Sequence, residues 1–320
     1  MTAIGHGMRQ CIAARRTATV VVLLMLACLS GWGSAAAQST LPSPSLAPSL
    51  ASPPLDVVTT TSVFADIVQN VGGSHVHAVS IIPPGVGPED YEPRPQDAQL
   101  LAGAELIVSN GVGLDDFLQK LLASGTGGAT PQVVLGDGIP SIIIDGQPNP
   151  HFWLDPSLVA GYYVPAIQRS LSSIDPTDAA DYATNAAAYA DQLTQLDADL
   201  AAVVATIPPE SRKLVTFHDA YPYLAQHFGF QLVGVILANV GQEPSAADLG
   251  RLVETVRSAN VKAVFSEAQF NPQLAQTLAD EAGVTHVVTT LYNDALGPAP
   301  ADTYLGMMRY DMDSIAAALR

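Results

Sequence analysis

Short apolar runs rich in β-branched residues alternate with amphipathic segments from about residue 55 to the end of the chain. Short apolar runs are typical of buried strands, whereas apolar residues spaced three or four apart indicate helices. The predicted strands form two series, 57–61, 76–82, 105–109 and 132–135, then 213–217, 231–236, 262–266 and 286–291. Predicted helices lie between them, at 62–71, 96–102 and 114–123, from Asp155 onward, and at 219–228, 246–258, 272–281 and 303–319. This alternation predicts parallel sheets with helices on both faces.

One much longer amphipathic segment separates the two series. Residues 176–207 are rich in alanine, have no internal Gly or Pro, and repeat apolar residues every three or four positions. We therefore predict an α/β protein of two lobes, each a parallel sheet flanked by helices, joined by a long rigid α-helix. The predicted boundaries are 55–175 for the N-terminal lobe, 176–207 for the linking helix and 208–320 for the C-terminal lobe.

The first residues of the chain resemble an export signal. Arg9, Arg15 and Arg16 precede an apolar run at 17–29 that is too short to act as a membrane anchor. Small residues up to Ala37 offer a cleavage site, which predicts a signal peptide at 1–37 and a Ser/Pro-rich linker at 38–54. The alternative is a lipid anchor on Cys28. In both cases we expect an exported protein that is periplasmic or otherwise extracytoplasmic.

Charge and cysteine content narrow the possible functions. The chain has 30 acidic and 13 basic residues and a formal net charge of −17. Such a chain repels nucleic acid and anionic lipid surfaces and attracts cations. Cys11 and Cys28 both lie in the predicted signal, so a chain cut after Ala37 has no disulfide and no thiolate ligand.

Ligand-type side chains follow several of the predicted strands. His218 directly follows one strand and Asp294 lies just beyond another, while His151 and Glu89 lie in loops of the first series. Ligands in open parallel sheets bind outside the carboxyl ends of strands. Because His and carboxylates suit divalent cations, the four residues predict a metal site between the lobes. Glu267 also follows a strand and could orient a ligand histidine.

Some of the same residues have ordinary structural roles available to them. Asp155, before a proline, is expected to cap a helix, and Asp219 to complement the dipole of the helix that it begins. His75 and His77 are expected at the surface, with a paired metal site there as the minority interpretation. His151 taken alone fits a structural role as well as it fits metal ligation. It is a candidate ligand because it occurs together with His218, Asp294 and Glu89.

Six segments carry a resemblance to a known family. They are Pro84-Gly85 through Tyr91-Glu92-Pro93, Asn110-Gly111-Val112-Gly113-Leu114, Pro150-His151-Phe152-Trp153-Leu154-Asp155-Pro156, Val215-Thr216-Phe217-His218-Asp219-Ala220, Glu243-Pro244-Ser245 and Asn293-Asp294-Ala295-Leu296. Together they resemble the TroA-like metal-binding proteins of bacterial zinc and manganese ABC importers. The resemblance implies two bridged lobes, a four-residue metal site and a membrane permease as partner.

The resemblance assigns ligand roles to His151, His218 and Asp294, and places Glu89 where the family usually has a histidine. A carboxylate there hardens the site and makes Mn²⁺ or Fe²⁺ more acceptable than a set of three histidines would. A histidine at 218 resembles the zinc-binding members of the family, so Zn²⁺ is the expected cargo and Mn²⁺ the alternative. If Glu89 turns away, three protein ligands remain and water takes the fourth place. Glu92 lies in the same segment as Glu89 and is a candidate partner of the ligands.

The expected function is capture of a divalent cation for import by a protein that is monomeric and is not an enzyme. One alternative is a secreted metallohydrolase, in which Glu267 or Glu92 would act as the general base beside an open coordination position. A metal chaperone or an adhesin on the same scaffold is another alternative, which the sequence does not separate from import.

Overall fold

The computed structural model describes residues 53–88, 91–123, 129–237 and 244–320. The predicted signal peptide, nearly all of the predicted linker, and Glu89 lie outside these residues. No helix in the described ranges is long and apolar enough to cross a bilayer.

The first series forms one four-stranded parallel sheet. Its strands are β1 (Leu55–Thr59), β2 (Val76–Ser80), β3 (Leu106–Ser109) and β4 (Gln132–Val134), in the order β2-β1-β3-β4. Helices α1 (Ser62–Gly72), α2 (Pro95–Gly103) and α3 (Asp116–Ala123) connect them. Each parallel pair needs such a crossover because a tight turn cannot join parallel strands.

A short hairpin and several helical segments lead from this sheet to the linking helix. Strands β5 (Ile143–Ile144) and β6 (Gln147–Pro148) pair antiparallel, and a 3-10 turn follows at Phe152–Leu154. The chain continues through α4 (Pro156–Leu158), a π-helical stretch (Val159–Tyr163) and α5 (Val164–Ile174). The linking helix α6 spans Ala179–Ala205, slightly shorter than predicted.

The second series forms two parallel strand pairs. Strand β7 (Lys213–His218) pairs with β8 (Gln231–Leu237), and β9 (Ala263–Glu267) pairs with β10 (His286–Leu291). The helices are α7 (Pro222–Phe228), α8 (Ala246–Ser258), α9 (Gln273–Ala282) and α10 (Tyr304–Leu319). The predicted two-lobe α/β fold is thereby confirmed, although the exact lobe boundaries stay a prediction.

Helix α6 contacts both lobes through one buried face. It packs against α1 and α5 of the first lobe and against α10 of the second. Its buried residues are Tyr182, Ala186, Tyr189, Leu193, Leu196, Leu200 and Val204. They belong to a core cluster that holds residues from before and after the helix. Helix α6 is therefore part of a shared core.

One predicted helix start is wrong. Helix α7 begins at Pro222, and Asp219 lies outside it, so Asp219 does not complement the dipole from the first turn. Proline favours the first helical position because it has no N–H to donate. The residues between Asp219 and Pro222 form a turn instead, which leaves the Asp219 carbonyl available to the other lobe.

Candidate metal centre

Three of the predicted ligands lie together although they come from distant parts of the chain. His218 is the last residue of β7, and Asp294 lies just beyond the end of β10. His151 follows β6 and directly precedes the 3-10 turn at Phe152–Leu154. All three side chains are buried, with relative exposures of 5%, 2% and 0% for His151, His218 and Asp294.

The carboxylate of Asp294 lies between the two imidazole rings. Its Oδ1 is 3.6 Å from His151 Nε2, and its Oδ2 is 3.4 Å from His218 Nε2. One ligand atom from each of the three residues lies within 4.8 Å of the others. Atoms that sit about 2.1 Å from a tetrahedral Zn²⁺ are about 3.4 Å from one another. The spacing of these atoms therefore matches a small divalent cation.

The second nitrogen of each ring faces its own oxygen partner. Asn149 Oδ1 lies 3.0 Å from His151 Nδ1, and Glu267 Oε1 lies 3.4 Å from His218 Nδ1. Glu267 is the last residue of β9 and is fully buried. A partner on one nitrogen fixes the ring and its tautomer, so that the other nitrogen presents a lone pair to a metal. The His151 ring is thus oriented as a metal ligand requires, and the carboxylate of Glu267 lies beside the second nitrogen of His218.

Asp294 is held by neighbours that the sequence analysis did not single out. Gln269 Nε2 donates to Asp294 Oδ2 at 2.9 Å, and Asn293 Oδ1 accepts from the Asp294 backbone N–H at 2.7 Å. Gln269 lies just beyond β9, two residues after Glu267. Its position past a strand end is the same signal that identified His218 and Asp294, and could have identified Gln269.

The loop that carries Asp294 is anchored from both lobes. Trp153 Nε1 donates to the Asn293 carbonyl at 2.6 Å, and Tyr304 OH donates to the Trp153 carbonyl at 2.6 Å. From α10, Asp311 accepts the Tyr292 N–H at 3.0 Å through Oδ1 and 3.3 Å through Oδ2. The two residues between the end of β10 and Asp294 are therefore both held through their backbone, one from each lobe.

Asp311 was missed because it lies on the apolar face of a helix. It is 2% exposed and lies among buried residues such as Met308, Met312 and Ile315. Burial raises the pKa of Asp311 well above its ordinary value, and the N–H of Tyr292 partly opposes this shift. The sequence marks Asp311 only as one acidic residue on an otherwise apolar helix face.

The interior around the site is electronegative. Burial raises the pKa of the Tyr221 phenol well above its usual value, and the negative charges of Glu267 and Asp294 raise it further. The phenol therefore stays neutral, while the carboxylates favour a bound cation.

A cleft of about 930 Å³ opens beside the two histidines. Its lining includes Asp116, Lys120, Asp145 and Asp219. Burial raises the pKa of Asp219, which His218 partly opposes. The cleft, lined by both polar and apolar residues, places solvent-accessible space next to the two histidines.

The remaining predicted site residues have other surroundings. Glu89 lies outside the described residues, and Glu92 is exposed. Asp155 accepts from the Ser157 N–H at 2.9 Å, which confirms its role as a helix cap. His77 Nδ1 pairs with Asp56 at 2.9 Å.

His75 has more partners than a simple surface histidine. Its Nδ1 lies 2.9 Å from Asp178, and its Nε2 lies 3.0 Å from Asp181, near the start of α6. The ring is half-buried against Tyr182. These contacts connect the first lobe to the linking helix.

The family follows from comparison with known proteins. The family model of ZnuA, described as the periplasmic component A of the zinc-uptake complex, matches residues 57–318. The chain belongs to this family. ZnuA-like proteins are the metal-binding, substrate-binding components of ABC importers, which are transport proteins.

Similar proteins extend over most of the chain. The manganese-binding lipoprotein MntA of Halalkalibacterium halodurans is 33% identical over 268 residues, covering 83% of this chain and 88% of MntA. The iron-binding protein YfeA of Yersinia pestis is 34% identical over 269 residues, covering 81% and 85%. The solved structure of the periplasmic zinc-binding protein TroA of Treponema pallidum has a TM-score of 0.77 at 29% identity, covering 83% of this chain and 99% of TroA.

Proposed function

We propose that His151, His218 and Asp294 hold a divalent transition-metal cation, with Glu89 as the fourth ligand. The observation that carries this proposal is the convergence of both histidine Nε2 atoms on one buried carboxylate. The hydrogen bond between Asn149 Oδ1 and His151 Nδ1 supports it, as does the Glu267 carboxylate beside His218 Nδ1, because such neighbours orient metal-binding imidazoles. The negative interior adds a favourable potential for a cation.

The protein works outside the cytoplasmic membrane and delivers its cargo to an ABC transporter permease. Cation capture at a site between two lobes suits this role, since the ligands come from both sides of α6. Release to the permease is then expected to require the site to open, because an ion held by buried protein ligands dissociates slowly.

Zn²⁺ is the proposed cargo, and Mn²⁺ is the alternative. Two imidazoles and a carboxylate suit Zn²⁺, and a second carboxylate from Glu89 makes the set more acceptable to Mn²⁺. The similar proteins MntA, YfeA and TroA are named for manganese, iron and zinc respectively, so their names do not favour one metal.

Replacing His218 by Ala is expected to weaken Zn²⁺ binding at least about 100-fold, because one of the ligands is lost and Asp294 loses its partner. Competition with a chromophoric chelator measures the affinity. His286→Ala is the matched control, since His286 is exposed at the start of β10 and should leave affinity unchanged. Equal affinity of His218→Ala and wild type would reject the proposed site.

Replacing Glu89 by His is expected to shift the preference from Mn²⁺ towards Zn²⁺ by about 10-fold or more, because imidazole is a softer ligand than carboxylate. The measurement is the ratio of the two dissociation constants for wild type and variant. Glu210→His is the control, as Glu210 is exposed and is not one of the predicted site residues. An unchanged ratio would mean that Glu89 does not coordinate the ion.

A further inference from the structure

Asn149 is buried, and every polar group of this residue has a partner. Its Oδ1 accepts from the His151 backbone N–H at 3.0 Å and faces His151 Nδ1 at 3.0 Å. Its Nδ2 donates to the Asp219 carbonyl at 2.7 Å. Its own carbonyl accepts from Tyr223 OH at 2.8 Å, and its N–H donates to the Ile142 carbonyl at 2.8 Å.

These partners determine which way the amide points. The backbone N–H of His151 can only donate, so the atom that faces it must be the amide oxygen. The Asp219 carbonyl can only accept, so it must face the amide nitrogen. The same oxygen then meets His151 Nδ1, which must carry its proton. The lone pair of the neutral ring is consequently on Nε2, which faces Asp294.

The two ends of this amide reach different lobes. His151 precedes α6, whereas Asp219 follows α6 and is the residue directly after His218. His218 differs in this respect, because its partner Glu267 belongs to the same lobe. The orientation of His151 therefore depends on a side chain that is itself bonded across the cleft.

We propose that Asn149 is a positioning residue that links the orientation of His151 to contact between the lobes. When the lobes are together, Asp219 holds the amide and the amide holds the imidazole. When they part, the bond to Asp219 is lost and His151 loses its fixed orientation. This inference rests on the proposed metal site. It predicts that retention of the cation depends on the hydrogen bond between Asn149 and Asp219, neither of which is a proposed ligand.

The Asn149→Asp variant distinguishes the proposed link between the lobes from a role of Asn149 that is limited to its contact with the His151 ring. A carboxylate keeps the shape of the side chain and both acceptor contacts to His151, but it cannot donate to Asp219. Its added negative charge alone would slow the loss of a cation. We expect Zn²⁺ to dissociate at least about 10-fold faster from this variant, as measured by stopped-flow transfer to a chelating dye. Dissociation at the wild-type rate or more slowly would overturn the proposal.

Asn149→Ala removes both contacts and tests the orientation of the ring. We expect an affinity about 10- to 100-fold weaker than wild type, the usual range for lost partners of metal ligands. The ¹⁵N NMR signals of His151 in the metal-free protein should show one tautomer in wild type and a mixture in Asn149→Ala, which has no side-chain oxygen to face the ring. A single tautomer in both proteins would overturn the proposal.

Asn70→Ala is the control, since Asn70 is exposed on α1. It should match wild type in affinity, dissociation rate and tautomer. If wild type bound no cation, the proposed function would fail and the inference with it. Tight binding by wild type with an unaffected Asn149→Asp variant would overturn the inference alone.

Discussion

Asp115 is a buried carboxyl group away from the proposed metal ligands. It is 5% exposed and lies between β3 and α3, where it accepts the Gly111 N–H. Burial raises its pKa to about 6, and hydrogen bonds from Thr60, Gly111 and Asn110 oppose the shift. The folded protein thus holds this proton at a pH where the unfolded chain has already lost it.

This shift predicts a pH-dependent cost in stability. Because the folded pKa is raised, the contribution of Asp115 is fully present below about pH 4 and is lost as the pH rises through about 6. Relative to Asp115→Asn, wild type should lose up to about 3 kcal/mol in free energy of unfolding between about pH 4 and pH 7. Urea denaturation of both metal-free proteins across this range measures the difference. Parallel stability curves would contradict the prediction.

Some functional residues could be predicted from the sequence and others could not. His151, His218 and Asp294 could be predicted because each lies in a segment that resembles a family motif, and two of them directly follow apolar strands. Asn149 precedes His151 in the same motif, but its bond to the Asp219 carbonyl depends on how two lobes meet. A contact between such distant residues has no signature in local sequence patterns.

At the scale of elements, strands bounded by polar residues were predicted well. Strand β3 and strand β10 end where the apolar runs end, at Ser109 and Leu291. The β5–β6 hairpin was not predicted, because two residues per strand are too few to show alternation. The hairpin is stabilised by Tyr223 of α7, whose OH accepts the Ile142 N–H at 2.9 Å and donates to the Asn149 carbonyl at 2.8 Å.

Helix α6 shows how composition predicts an element and its packing together. Alanine lowers the cost of a long helix, and aromatic and leucine residues at helical spacing provide one apolar face. The structure buries Tyr182, Tyr189 and Leu193 on this face. The ends were less well predicted, since residues 176–178 and 206–207 lie outside the helix in irregular segments.

At the scale of the whole molecule, a bound cation should stabilise the fold. Since the three proposed ligands come from distant segments, unfolding would destroy the site, and a cation that binds only the folded state raises stability. Zn²⁺ at about 100 times its dissociation constant adds about 2.7 kcal/mol. For a folded chain of about 270 residues, that corresponds to a rise in Tm of about 5 °C.

Differential scanning calorimetry of chelator-treated protein with and without Zn²⁺ measures this rise. His286→Ala should show the same rise as wild type, and His218→Ala should show little or none at the same Zn²⁺ concentration. An equal rise in His218→Ala and wild type would mean that the stabilising ion binds somewhere else.

The near-complete burial of both histidines bears on how the protein selects its cargo. A cation enclosed between the lobes is expected to exchange slowly with other cations in solution. Over periods shorter than that exchange, each copy keeps the first cation that it encloses. Cargo composition then records the supply of metals at the moment of capture, and the abundance of cations outside the cell contributes to selection alongside the chemistry of the ligands.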